Sequence, residues 1–232
     1  MEYLYNGYTL ETAPGCFPLS TDSMVLCRFL RLPKQARVLD LGSGCGTLGT
    51  LLCAADPGCT VTGIELDEAA HRCALENIRR NGLVGRLENI CADLRDLTGL
   101  VASGSFSCCV SNPPYFSGGA ASRSLSTARQ ESSCTPEDLF CCGSRLLKFG
   151  GDFFLVHKPE RMAELIATAA KYNLEAKRLC LLRHKEDSPV NLILLQLRKG
   201  AKPGLVWEEI ALHHADGSPT AIYQEIYHTI GG

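Results

Sequence analysis

No apolar run in the chain approaches the roughly 20 residues that a membrane-spanning helix requires. The opening MEYLYNGYTLE lacks a basic segment followed by an apolar stretch, and Glu2 adds an acid, so no export signal and a cytoplasmic location are expected. Neither sign of charge is in excess. The 23 Lys and Arg stand against 25 Asp and Glu, for a formal net charge of -2. That excludes a uniformly basic nucleic-acid coat and leaves room for a local basic face. The 13 cysteines include no CxxC pair and no Cys/His ligand spacing, so no metal site is expected. They read instead as reduced thiols used as small apolar residues. Internal repeats and interdomain linkers are also absent.

What remains suits one α/β domain: 232 residues, long enough for a sizeable core. Strand-like and helix-like segments alternate. Strands are predicted at 37–41, 59–65, 86–91, 106–111, 152–157, 175–183 and 191–198. Helices are predicted at 47–55, 68–81, 135–147 and 159–172. Asp67 supplies an N-cap and Gly82 a stop for the second, and Thr135-Pro136 a cap and first turn for the third. Repeated β-α-β units imply a Rossmann-like, mostly parallel seven-stranded sheet with helices on both faces. Too few residues separate the last two strands for a helix, so those two should be antiparallel neighbours. One Ser/Gly-rich stretch, 117–133, stands out as a long loop.

Asp40-Leu41-Gly42-Ser43-Gly44-Cys45-Gly46 follows a strand and opens a helix. Gly42, Gly44 and Gly46 let the backbone turn sharply, and the helix N-terminus offers unpaired N–H groups. The loop therefore suits a polar ligand at the C-terminal edge of the sheet. Glu65 ends the second strand, where a carboxylate accepts hydrogen bonds from ribose hydroxyls. Asp93 follows the third strand, where it could accept from an adenine amino group. Leu66 and Leu94 sit beside these acids and are placed in the same pocket. These features fit nicotinamide dinucleotide as well as S-adenosylmethionine, because both contain adenosine.

Asn112-Pro113-Pro114-Tyr115-Phe116 ends the fourth strand, on the same edge. An exocyclic amine on a planar base is a poor nucleophile because its lone pair is delocalised. The Asn112 amide oxygen and the Pro113 carbonyl can each accept one N–H, pulling the nitrogen toward tetrahedral geometry. The work is positioning and electrostatics. Pro113 restricts Asn112, and Pro114 restricts Pro113, so the carbonyl is held in advance. Tyr115 or Phe116 can stack on the substrate. This loop selects S-adenosylmethionine over nicotinamide.

Together the glycine loop, Glu65, Asp93 and NPPY resemble class I S-adenosylmethionine methyltransferases acting on adenine N6 or on glutamine amides. The resemblance extends to the bacterial tRNA1(Val) adenine-37 N6-methyltransferase family. Pro18-Leu19-Ser20-Thr21-Asp22-Ser23-Met24-Val25-Leu26, the catalytic loop, Ala128-Arg129-Gln130-Glu131 and 151–161 carry it, and it runs on to the Tyr223/Tyr227 region. It implies that Thr21 and Asp22 lie by the cofactor and that residues 1–34 complete the pocket of a catalytic domain spanning 35–232. It also implies methylation of adenine 37 in a tRNA anticodon loop, where flipping the base costs less than in a duplex. Gln130 replaces a His of the family pattern. Arg123, Arg129, Lys158, Arg161, Arg183 and Lys185, with His184, are candidates to grip RNA phosphates. A monomer or homodimer is expected. A release-factor glutamine methyltransferase would use the same loop but usually carries an N-terminal helical domain, and only about 35 residues precede the first strand here. A non-catalytic cofactor- or RNA-binding protein would not need Asn112 and both prolines.

Overall fold

The computed structural model describes residues 1–4, 7–113 and 134–229. A two-stranded antiparallel hairpin, β1 (Glu2–Tyr3) and β2 (Thr9–Leu10), opens the chain, and α1 (Thr21–Phe29) follows. The alternating body is β3 (Arg37–Leu41), α2 (Thr47–Ala55), β4 (Thr60–Glu65), α3 (Glu68–Arg80), β5 (Leu87–Cys91) and β6 (Phe106–Ser111). Then come α4 (Pro136–Leu146), β7 (Leu147–His157), a 3-10 turn (Pro159–Arg161) and α5 (Met162–Lys171). The chain ends in β8 (Leu174–Lys185), β9 (Val190–Lys199), β10 (Val206–His213) and α6 (Ala221–Thr229).

Side-chain alternation along the strands feeds two cores. Val38, Val61, Cys108, Val110, Phe154 and Val156 face the layer built by α1, α2, α3 and α6. Their neighbours Leu39, Ile64, Cys109, Phe153 and Leu155 face α4 and α5. A strand buried on both faces has to read as a continuous apolar run, which is why 108–110 and 153–156 do. Each fully buried Leu or Phe contributes about 1.5–3 kcal/mol. All 13 cysteines are free, and seven of them are buried among these apolar side chains.

The main sheet has the order β10-β8-β9-β7-β6-β3-β4-β5. Among the described residues it holds eight strands where the sequence predicts seven. The addition is β10, which pairs parallel with β8 at the edge. It escapes the periodicity because its first four residues, including Trp207, are exposed and the pair Glu208-Glu209 interrupts any apolar alternation. β9 is antiparallel to both β7 and β8, as expected from the short connection. Every other pairing in this sheet is parallel. The C-terminal ends of β3, β4, β5, β6, β7, β8 and β10 therefore share one edge, and the functional residues gather there.

The predicted helix signals are realised. Asp67 caps α3 by accepting from Ala70 N–H. Thr135 and Asp138 form a reciprocal capping box at the start of α4.

Candidate active site

At that edge lies a cavity of about 550 Å³, within the usual range for small-molecule sites. Its floor is the glycine loop. Gly42, Gly44 and Gly46 have φ of 73°, 54° and 79°, left-handed values that a residue with a Cβ adopts only with strain. The turn is held from outside by the N–H groups of Gly42 and Ser43, both donating to the Ile64 carbonyl at 3.0 Å. It is also braced by Asn89, whose Nδ2 donates to Ser43 Oγ at 2.8 Å while its Oδ1 accepts from His71 Nδ1 at 2.6 Å.

Asp40 is 1% exposed at the end of β3, and its Oδ1 has no hydrogen-bond partner among the described residues. Burial, helped by the nearby Glu65 carboxylate and opposed by a Gly49 backbone hydrogen bond, pushes its pKa up to about 7. Glu65 accepts from Gly44 N–H at 2.7 Å through Oε2 and from Asp67 N–H at 2.8 Å through Oε1. A carboxylate has about four acceptor sites, so two remain for a ligand diol. Asp93 lines the cavity, yet its carboxylate forks onto Arg95 at 2.5–3.0 Å, which holds its pKa below the usual range.

S-adenosylmethionine presents an ammonium group, a ribose diol and a planar adenine with apolar faces. The donor set fits it. Asp40 offers a buried carboxylate oxygen without a partner, Glu65 has acceptor capacity to spare, and Leu66, Ala92, Leu94 and Leu139 give an apolar wall.

Ser111 Oγ donates to the Leu41 carbonyl at 2.7 Å and ties the end of β6 to the glycine loop's strand. The next residue, Asn112, lines the same cavity with Pro113. Asn112 Nδ2 donates to Ser23 Oγ, at 3.1 Å on α1.

Of the sequence-predicted residues, Asp22, Asp40, Gly42, Gly44, Glu65, Leu66, Asp93, Leu94, Asn112 and Pro113 share this one cavity. Gly46 shapes the loop as the N-cap of α2 without lining it. Thr21 departs from its expected place: its hydroxyl bonds Tyr227 OH at 2.6 Å and does not line the cavity. Pro114, Tyr115, Phe116, Arg123, Arg129 and Gln130 lie outside the described residues. Lys158, Arg161, Arg183 and Lys185 stand on or near the correct edge but not in the cavity. Arg161 pairs with Glu164, and Arg183 is held by Glu209 and the Ser188 carbonyl. Within residues 1–34, expected to complete the pocket, the sequence reading did not single out Pro14, Gly15, Cys16, Phe17 and Ser23, which line the cavity. Only the Pro/Gly turn at 14–15 and the TDS triplet hinted at them. No helix among the described residues is long and apolar enough to cross a membrane, and no metal-binding cluster occurs among them.

Comparison with known proteins agrees with this geometry. The family model described as "Methyltransferase small domain" matches residues 7–170. A protein of Photobacterium profundum named tRNA1(Val) (adenine(37)-N6)-methyltransferase is 29% identical over 212 residues, covering 89% of this chain and 88% of its own. One of the same name from Dickeya chrysanthemi is 32% identical over 187 residues, covering 79% and 74%. Among solved structures, a predicted O-methyltransferase of Agrobacterium tumefaciens superposes with a TM-score of 0.76 at 20% identity, over 90% of this chain and 96% of its own. That likeness fixes the fold, which is the class I methyltransferase fold. The chain belongs to the methyltransferase small domain family, and within it to the group of proteins that carry the name tRNA1(Val) (adenine(37)-N6)-methyltransferase.

Proposed function

We propose that this methyltransferase acts on the exocyclic N6 of adenine in RNA, at adenine 37 of a tRNA anticodon loop, in the cytoplasm. The observation that carries the reading is Asn112-Pro113 at the end of β6, opening into the cavity that holds the glycine loop, Asp40, Glu65 and Asp93. The relatives' printed activity supports the choice of adenine 37 and tRNA.

S-adenosylmethionine supplies an electrophilic methyl group on a sulfonium when bound. The chain's own residues do the rest. Asp40 would meet the cofactor's ammonium, Glu65 its ribose hydroxyls, and Leu66, Leu94 and Asp93 its adenine. Asn112 Oδ1 and the Pro113 carbonyl each accept one N–H of the target amine. Aimed at the methyl group, the amine would need no strong base: as the N–C bond formed, the sulfonium's S–C bond would break with its electron pair left on a neutral thioether, and the nitrogen's proton, acidic only at that stage, would pass to solvent. Residues 1–34 act as part of this site: 14–18 and Asp22 line the cavity, and Asn77 links Glu11 to the Cys45 carbonyl. Tyr115 and Phe116 are assigned to the base, and Lys158, Lys185, Arg123 and Arg129 to phosphates. The test is transfer of labelled methyl from the cofactor to unmodified total tRNA, read by nucleoside mass spectrometry. N6-methyladenosine is expected, and its absence would remove RNA adenine as the substrate.

A further inference from the structure

We propose that Ser23 is a positioning residue that sets which face of the Asn112 amide meets the substrate. The proposal rests on the amine-methylation reading above. An Asn side chain carries one acceptor and one two-proton donor, and its terminal torsion has two orientations of nearly equal shape. Only one of them presents oxygen to an incoming N–H. The other turns a donor toward a donor. Pro113 restricts the backbone of Asn112 but does nothing to this torsion.

Ser23 does. Its hydroxyl is buried and accepts from Asn112 Nδ2 at 3.1 Å, across 89 positions of sequence. With Nδ2 engaged, Oδ1 is the polar atom left for the amine. Ser23 is itself oriented: Ser20 Oγ lies 3.5 Å from its hydroxyl and accepts from its backbone N–H at 3.4 Å as the cap of α1. A hydroxyl proton directed at Ser20 leaves the Ser23 oxygen free to accept. The same turn is anchored on its other side by Thr21 Oγ1 and Tyr227 OH at 2.6 Å, which ties it to α6. The helix cap, the hydroxyl and the amide thus form one chain from a fixed backbone turn to the reacting centre, and Ser20, Ser23 and Asn112 all border the cavity.

The test compares Ser23→Ala and Ser23→Thr with the wild-type full chain. Ser23→Ala should lower kcat about tenfold, the order expected for one hydrogen bond that orients a catalytic group. KM for RNA and Kd for S-adenosylmethionine should stay within about twofold. Ser23→Thr, which keeps the hydroxyl, should restore kcat. A second readout needs no substrate. In protein labelled with 15N-asparagine, the Asn112 side-chain amide pair, identified by its loss in Asn112→Asp, should shift and exchange faster with water in Ser23→Ala and return in Ser23→Thr. An unmoved amide pair, an unchanged kcat in folded Ser23→Ala, or equal damage by Thr and Ala would overturn the proposal. A wild-type enzyme that methylates no RNA would defeat only the substrate reading, with the amide spectrum still deciding the role of Ser23.

Discussion

Replacing Asp40 by Asn removes a carboxylate that the fold buries without a matching cation among the described residues. In the folded protein its pKa stands at about 7, against 3.8 when unperturbed. Between those two values the unfolded chain has lost this proton while the folded chain keeps it. The folded state binds more protons, so stability falls as pH rises through the window. At about 1.4 kcal/mol per pH unit, the loss reaches about 4 kcal/mol near pH 7 and grows no further above it. Asn cannot titrate. The stability of Asp40→Asn relative to wild type should therefore rise by about 4 kcal/mol from pH 4 to pH 7 and then level off. Urea unfolding of both proteins without ligand, at half-unit steps of pH, measures this directly. Cofactor binding should pull this pKa back down, because an ammonium beside Asp40 favours the ionised form. Wild type should then release close to one proton on binding at pH 6, read by calorimetry in buffers of different ionisation enthalpy, and Asp40→Asn should release none. Parallel stability profiles for the two proteins would refute the argument.

Asn112→Ala should reduce methyl transfer by about 1000-fold, in the range seen when a positioned transition-state donor or acceptor is lost. Cofactor Kd by calorimetry should be unchanged, since Glu65 and Asp40 are intact. Glu65→Gln should weaken cofactor binding about tenfold or more, because it removes the charged acceptor that holds both Gly44 N–H and the expected ribose hydroxyls. Gly143→Ala would ordinarily stabilise a helix interior by about 1 kcal/mol. Here the added Cβ would overlap the ring of Phe153, itself wedged edge-on against Phe140 at 5.4 Å, so a net loss of about 1–3 kcal/mol is expected in thermal unfolding.

The sequence by itself determined the alternating body and the glycine loop. Both are local: a two-residue period, a cap such as Thr135, and glycines where left-handed φ is needed leave their mark within a few positions. It also determined that Asp40, Glu65, Asp93 and Asn112 share an edge, because parallel strands deliver their C-terminal ends to one side. What only the tertiary structure decided is long-range. β10 is an edge strand whose half-exposed surface has no period to read, and its pairing with β8 depends on a neighbour about 28 positions earlier. Thr21 looks like a cofactor residue beside Asp22, yet one step along a helix turns its side chain by about 100°, toward Tyr227 on α6. The link from Asn112 to Ser23, and the burial that leaves Asp40 Oδ1 without a partner among the described residues, exist only once α1 is packed against the sheet. Hydrogen bonds between distant segments carry no periodicity, so no sequence pattern announces them.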